Sequence, residues 1–287
     1  MISYPGETDS ERKGPAMALN WLQIIVLGIL QGAAGVLPLS DSGFLTVARK
    51  LMGLPLDGSA DAFYEALLQL SVLLSVCLVF RREISGCARA LSASRDLQRE
   101  TRRLNQRLLL LIFTGAIPSL LSLLLKGRVS FIQEHLIYIA ALMVLSGFVV
   151  FLGDRIGKGS RNLPETTLAD GLWMGLAHGL AGIPGLSRTG LVMTVGFLRG
   201  LEPEHCFRFS FLLWIPYLAV QAISGLVGSA GSNAFHWPYL GGMAIAFGCS
   251  CFCLSALRRA VRRGNTGSFA FALWGAGVIA FVLYLIT

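Results

Sequence analysis

The chain has 287 residues, 54% of them hydrophobic and only 14% charged, with a mean hydropathy of +0.65. Such a composition excludes an ordinary water-soluble domain and places the chain in a bilayer. The formal net charge of +8 invites a nucleic-acid reading, but the arginines crowd into short segments between apolar stretches, so no nucleic-acid partner is expected.

In chain order, residues 1–18 form a polar tail, too acidic for the n-region of a cleaved signal peptide. A first repeat at 19–153 opens with an apolar segment broken near 35–43 and continues through spans at 65–80, 107–125 and 135–153. A linker at 154–170 leads to a second repeat at 171–287, broken near 182–190 and followed by spans at 207–228, 238–257 and 267–286. Each span comes near the ~17–25 apolar residues that hydrocarbon requires. Trp21, Trp173, Trp237 and Trp274 fall at expected span ends and read as interfacial anchors. Cys249, Cys251 and Cys253 alternate around a helix, so no metal site is expected from the cysteines.

Charge sets the orientation. Arg81, Arg82, Arg89, Arg95, Arg99, Arg102, Arg103 and Arg107 crowd one loop around 81–106; Arg155, Lys158 and Arg161 occupy a second at 154–170, and Arg258, Arg259, Arg262 and Arg263 a third at 258–264. The positive-inside bias puts all three in the cytoplasm; such loops also suit anionic lipid headgroups. Counting crossings from loop 81–106, segment 171–206 leaves the cytoplasm and returns to it, while 20–64 starts and ends outside. Each half is then a re-entrant helical hairpin plus three transmembrane helices. Three is odd, so the second half lies upside down. The expected fold is all-α: a polytopic membrane protein of two inverted-topology repeats, whose broken tips meet near mid-membrane.

The tips themselves are duplicated. GILQGAAGVLPLSDSG (28–43) aligns without a gap on GLAHGLAGIPGLSRTG (175–190), and the register persists to Gly53-Leu54 against Gly200-Leu201. Asp41 lies opposite Arg188, and Gln31 opposite His178. If the tips meet, Ser40, Asp41 and Ser42 confront Ser187, Arg188 and Thr189. Arg188 beside hydroxyls and free N–H groups at a helix start makes an anion site, most naturally for the phosphate of a lipid. Several structural alternatives stand beside this reading: an Asp41–Arg188 ion pair that locks the repeats, serine helix caps at Ser40 and Ser187, and a packing role for His178. Glu65 begins a span and suits the helix-start dipole as well as a substrate contact.

PGLSRTG (184–190), FSFLLWIP (209–216), LPLSDSG (37–43) and YEALLQLSVLLSV (64–76) occur in the order found in the undecaprenyl-diphosphatase, or bacitracin-resistance phosphatase, family, which the chain resembles over most of its length. The resemblance implies removal of the terminal phosphate of a polyprenyl diphosphate in the bacterial inner membrane, in support of cell-wall synthesis. It assigns phosphate binding to Ser187 and Arg188, and matches Ser40 to the first of two motif serines. The family's two first-motif glutamates fall at Gln31 and Gly35, its second serine at Asp41 and its histidine at Phe44. A divalent cation (Mg or Ca) implied by those glutamates is therefore in doubt.

The expected function is a polyprenyl-diphosphate phosphatase. Ser40, Asp41 or His178 would carry the chemistry, and Arg188, Ser187, Thr189, Ser42 and Gln31 would hold the phosphate. The alternatives are a catalytically silent polyprenyl-phosphate carrier working by alternating access, and a scaffold for envelope enzymes. A homo-oligomer stays open.

Overall fold

A computed structural model describes residues 19–56, 61–91, 99–156, 159–229 and 235–286. The polar tail 1–18, Arg95 and Lys158 lie outside the described residues. The described chain is all-α, with one isolated backbone bridge between Arg161 and Leu201.

The elements are α1 (Trp21–Ala34), α2 (Asp41–Leu51), α3 (Ala62–Val79), α4 (Arg81–Leu91), α5 (Arg99–Leu121), two single turns α6 (Lys126–Val129) and α7 (Phe131–Glu134), α8 (Leu136–Arg155), α9 (Leu168–Leu180), α10 (Arg188–Leu198), α11 (Pro203–Gly228), α12 (Pro238–Arg263) and α13 (Phe269–Ile286). Six of them, α3, α5, α8, α11, α12 and α13, are long and apolar enough to cross a membrane. Only 28–44% of the apolar window of each is buried. Side chains such as Phe113, Ile117, Phe252 and Ile279 therefore stand outward, an arrangement that lipid accommodates and water does not. The protein is a polytopic membrane protein.

The expected loop 81–106 is largely helical: α4 occupies its start, and α5 begins eight residues before the expected span. Arginine, glutamate, leucine and glutamine are good helix formers, and no proline or run of glycines interrupts them. The basic segment 258–264 is likewise the last turn of α12, stopped by Gly264 in the left-handed region at φ 67°. Trp21, Trp173 and Trp237 are exposed, as interfacial anchors would be. Trp274 is different. It lies inside α13, half-buried against Gly147 and Phe148, and its indole N–H donates to the Val144 carbonyl at 3.2 Å.

Local chemistry explains the two broken pairs, α1/α2 and α9/α10. Asn20 starts α1 with a capping box to Gln23, and Thr167 starts α9 with one to Asp170. Ser40 caps α2 by accepting the Gly43 N–H at 3.1 Å; Ser187 caps α10 by accepting the Gly190 N–H at 3.1 Å. Both second helices stop the same way, at glycines held at φ 68° (Gly53) and 73° (Gly200). The N–H of Leu54 then reaches the Arg49 carbonyl at 2.9 Å, and that of Leu201 the Gly196 carbonyl at 3.1 Å.

The repeated small residues let helices touch backbone to backbone. A Cβ on Gly28 would lie 2.9 Å from the Gly242 carbonyl, and one on Gly32 2.6 Å from that of Ala246, so α1 sits directly on α12. In the other half a Cβ on Gly175 would run into the Gly115 backbone, and one on Gly179 would lie 2.8 Å from the Pro118 carbonyl, so α9 sits on α5. Packing follows a reciprocal scheme. α1 against α12 matches α9 against α5, α3 against α12 matches α11 against α5, and α2 against α13 matches α10 against α8. Across the halves, α3 packs on α11 and α8 on α13.

Candidate functional site

The two breaks meet. The N–H of Gly185, a residue at φ 99° in the second break, donates to Ser42 Oγ of the first at 3.3 Å. Ser146 of α8 accepts the Ser187 N–H at 2.9 Å and fixes the second tip from behind. Beside this contact lies a cavity of about 110 Å³ bounded by both tips, including Gln31, Asp41, Ser42, Pro184 and Arg188. That is much smaller than a pocket enclosing a whole ligand and suits a single small polar group.

Arg188 dominates it. Its side chain is 11% exposed and that of Asp41 19%. The guanidinium lies over the Tyr217 ring, 4.4 Å from the centroid, and donates to the Tyr217 hydroxyl at 3.0 Å and, through Nε, to the Ala181 carbonyl at 3.4 Å. Among the described residues Nη1 has only Asp41 Oδ2, 4.0 Å away, while Asp41 Oδ1 accepts the Ser42 N–H at 2.9 Å. Asp41 and Arg188 are thus brought together as expected, but too far apart for a tight hydrogen-bonded pair. Arg188 is also the first residue of α10, where the helix macrodipole is positive and a cation is locally unfavourable. Two positive sources converge there, and an anion satisfies both.

The remaining candidates separate into two groups. Gln31, Asp41, Ser42 and Arg188 line the cavity. Ser40, Ser187 and Thr189 are buried at the helix starts and do not line it; the first two hydroxyls are engaged in capping. His178 is 1% exposed, with Nδ1 2.7 Å from Ser119 Oγ and its ring edge-on to Tyr217, centroids 5.1 Å apart. It stands behind Tyr217 and off the cavity. Its Nε2 is one of three buried side-chain atoms without a hydrogen-bond partner among the described residues.

The sequence undervalued a charged cluster on the cavity's other wall. Arg49, 2% exposed, donates to both oxygens of Asp61 at 2.7 and 2.9 Å and to Glu65 Oε1 at 2.7 Å. Arg49, Glu65 and Gln69 all line the cavity. The signal was faint: Glu65 sits inside the YEALLQL stretch that carries the resemblance, but its partner lies 16 residues away on another helix. The second half closes its own base with Asp170, fully buried, which accepts from Arg161 at 2.7 Å and Arg199 at 2.6 Å.

The sequence pattern described as the bacitracin resistance protein BacA matches residues 24–279. The chain belongs to the BacA family. The undecaprenyl-diphosphatase of Carboxydothermus hydrogenoformans is 29% identical over 273 residues, covering 92% of this chain and 98% of the relative. That of Synechococcus elongatus is 34% identical over 278 residues, covering 88% of each chain. Undecaprenyl-diphosphatase 1 of Corynebacterium jeikeium is 31% identical over 281 residues, covering 93% of this chain and 99% of the relative. These likenesses support a role of this BacA-family protein in polyprenyl-phosphate metabolism at the membrane.

The divalent cation implied by the resemblance finds few carboxylates here. The cavity offers the carboxylates Asp41 and Glu65, the latter already bound by Arg49. Among the described residues no group of three or more His, Cys, Asp or Glu side chains gathers at a metal-sized site. Gly35 has no room for a carboxylate either: a Cβ there would lie 2.5 Å from the Gln31 carbonyl and 3.4 Å from Val72.

Proposed function

We propose that this protein removes the terminal phosphate of a polyprenyl diphosphate, working from two inverted-topology repeats whose re-entrant hairpins meet inside the bacterial inner membrane, with the Arg-rich ends cytoplasmic. The reciprocal packing of α1/α12 with α9/α5 supports the inverted repeat. One observation carries the chemistry. Arg188 lines the cavity from the first residue of α10, and among the described residues its Nη1 has no tight partner, Asp41 Oδ2 standing 4.0 Å away.

The terminal phosphate binds between Arg188 and the N-terminus of α10, while Ser42 and Gln31 orient its oxygens. The Asp41 carboxylate attacks phosphorus. The bond from phosphorus to the bridging oxygen breaks, and polyprenyl monophosphate leaves with the electron pair. Water then hydrolyses the aspartyl phosphate, its protons leaving with the released phosphate, to give inorganic phosphate and restore the carboxylate. Ser40, Ser187 and Thr189 hold the two helix starts, and His178 supports Tyr217 beneath Arg188. No step is routed through a metal.

Phosphate release from a polyprenyl diphosphate by the purified protein tests the reading. Release should fall steeply in Arg188→Ala and vanish in Asp41→Asn, with lipid binding kept in the latter. Full release by Asp41→Asn would remove the aspartyl step. A second reading, a polyprenyl-phosphate carrier, is favoured by the closed space at Gly35, one of the two positions at which the resemblance places the family's glutamates. No release by the unaltered protein, with binding of polyprenyl phosphate that depends on Arg188, selects it.

A further inference from the structure

A second cavity, of about 600 Å³, lies on the Arg-rich face and shares no lining residue with the Arg188 site. Arg81 and Arg82 form one edge, where α3 gives way to α4, and Arg208 of α11 and Arg258 of α12 form the other. Leu78 and Cys251 supply an apolar wall.

The charges do not balance. Glu204 alone receives Arg208 at 3.3 Å, Arg258 at 2.6 Å and Arg262 at 3.0 Å. One carboxylate cannot neutralise three guanidinium groups, although it fixes their positions. Arg81 and Arg82 are exposed and have no ion-pair partner among the described residues. Five arginines thus meet two glutamates, Glu83 and Glu204. The apolar wall continues into the outward surface of the spans, where Leu78 and Phe252 are exposed. A basic rim above a hydrocarbon-facing wall selects an anion attached to an acyl chain, since the rim alone would serve any anion and the wall alone any lipid.

We propose that this groove binds the phosphodiester headgroup of an anionic phospholipid, with its acyl chains running past Leu78 and Phe252. The headgroup bridges Arg81 and Arg82 on one side to Arg208 and Arg258 on the other. It thereby ties α3 and α4 to α11 and α12, which belong to opposite halves of the chain. The site is independent of the chemistry at Arg188.

The test uses the full chain in nanodiscs of phosphatidylcholine alone or mixed with phosphatidylglycerol, reading lipid retained on extraction by native mass spectrometry and the thermal midpoint. The unaltered protein should retain phosphatidylglycerol in preference to phosphatidylcholine and melt higher in its presence. R81Q/R82Q should bind it roughly tenfold more weakly or worse. A charge-matched control on the same face, R259Q/R263Q, should bind as the unaltered protein does. Equal losses in the two double variants, no lipid preference in the unaltered protein, or displacement by inorganic phosphate alone would overturn the assignment. Arg208→Gln supplies an independent arm should R81Q/R82Q fail to fold: weakened retention supports the groove, and unchanged retention refutes it.

Discussion

The break between α1 and α2 and the break between α9 and α10 share one backbone plan. Each follows a helix whose glycines press on a neighbour, each restarts on a serine cap of 3.1 Å, and each second helix ends at a left-handed glycine. They differ in what the plan carries. The first tip places Asp41 where the dipole of α2 welcomes an acid; the second places Arg188 where the dipole of α10 opposes a base. A residue set against its local electrostatics, inside a protein, is a place where binding has been put ahead of stability. The bases of the hairpins also differ. Arg49 is enclosed by two carboxylates and almost wholly buried, whereas Asp170 is clasped by two arginines that are 33% and 39% exposed.

Four sets of substitutions would break or sharpen this comparison. The largest effect is expected at the first base. Arg49→Met leaves Asp61 buried without its cation and should cost about 3–5 kcal/mol, seen as a large drop in thermal midpoint. Asp170→Asn, in the better solvated cluster, should cost clearly less; equal losses would mean that burial does not distinguish the two. Next comes the difference in charge at the tips. Arg188→Ala should lower phosphate release by roughly 10²–10³-fold with little change in melting, and Arg188→Lys should recover only part of it because a point charge lacks the guanidinium fork. Third, Gly28→Leu and Gly175→Leu, at equivalent positions of the two halves, test the shared plan. Each forces a side chain into a helix contact and should cost about 1–3 kcal/mol, by similar amounts if the halves pack alike. The smallest effect belongs to the caps: Ser40→Ala and Ser187→Ala should each cost ~1 kcal/mol. Turnover per folded molecule should hold within a few-fold. A loss of turnover at Ser40 comparable to that at Arg188 would restore Ser40 as a reacting group.

Sequence alone determined everything that rests on local periodicity and local chemistry. The six spans follow from runs of apolar side chains, the two breaks from glycine, proline and serine in one register, and the helix caps from side chains three residues from the N–H they accept. The Asp41–Arg188 juxtaposition was also expected, from the duplicated motif that sets the two residues opposite each other. Tertiary structure decided which side chains each tip meets. Tyr217 comes to Arg188 from 29 residues away, Ser119 to His178 from 59, and Arg49 to Glu65 from 16. No periodic pattern encodes such partners, because they depend on how the helices rotate and press together once their glycines allow contact. For the same reason the structure, and not the motif, placed His178 behind Tyr217 and Glu65 on the cavity wall: in a close-packed interior the direction of a side chain is set by its neighbours.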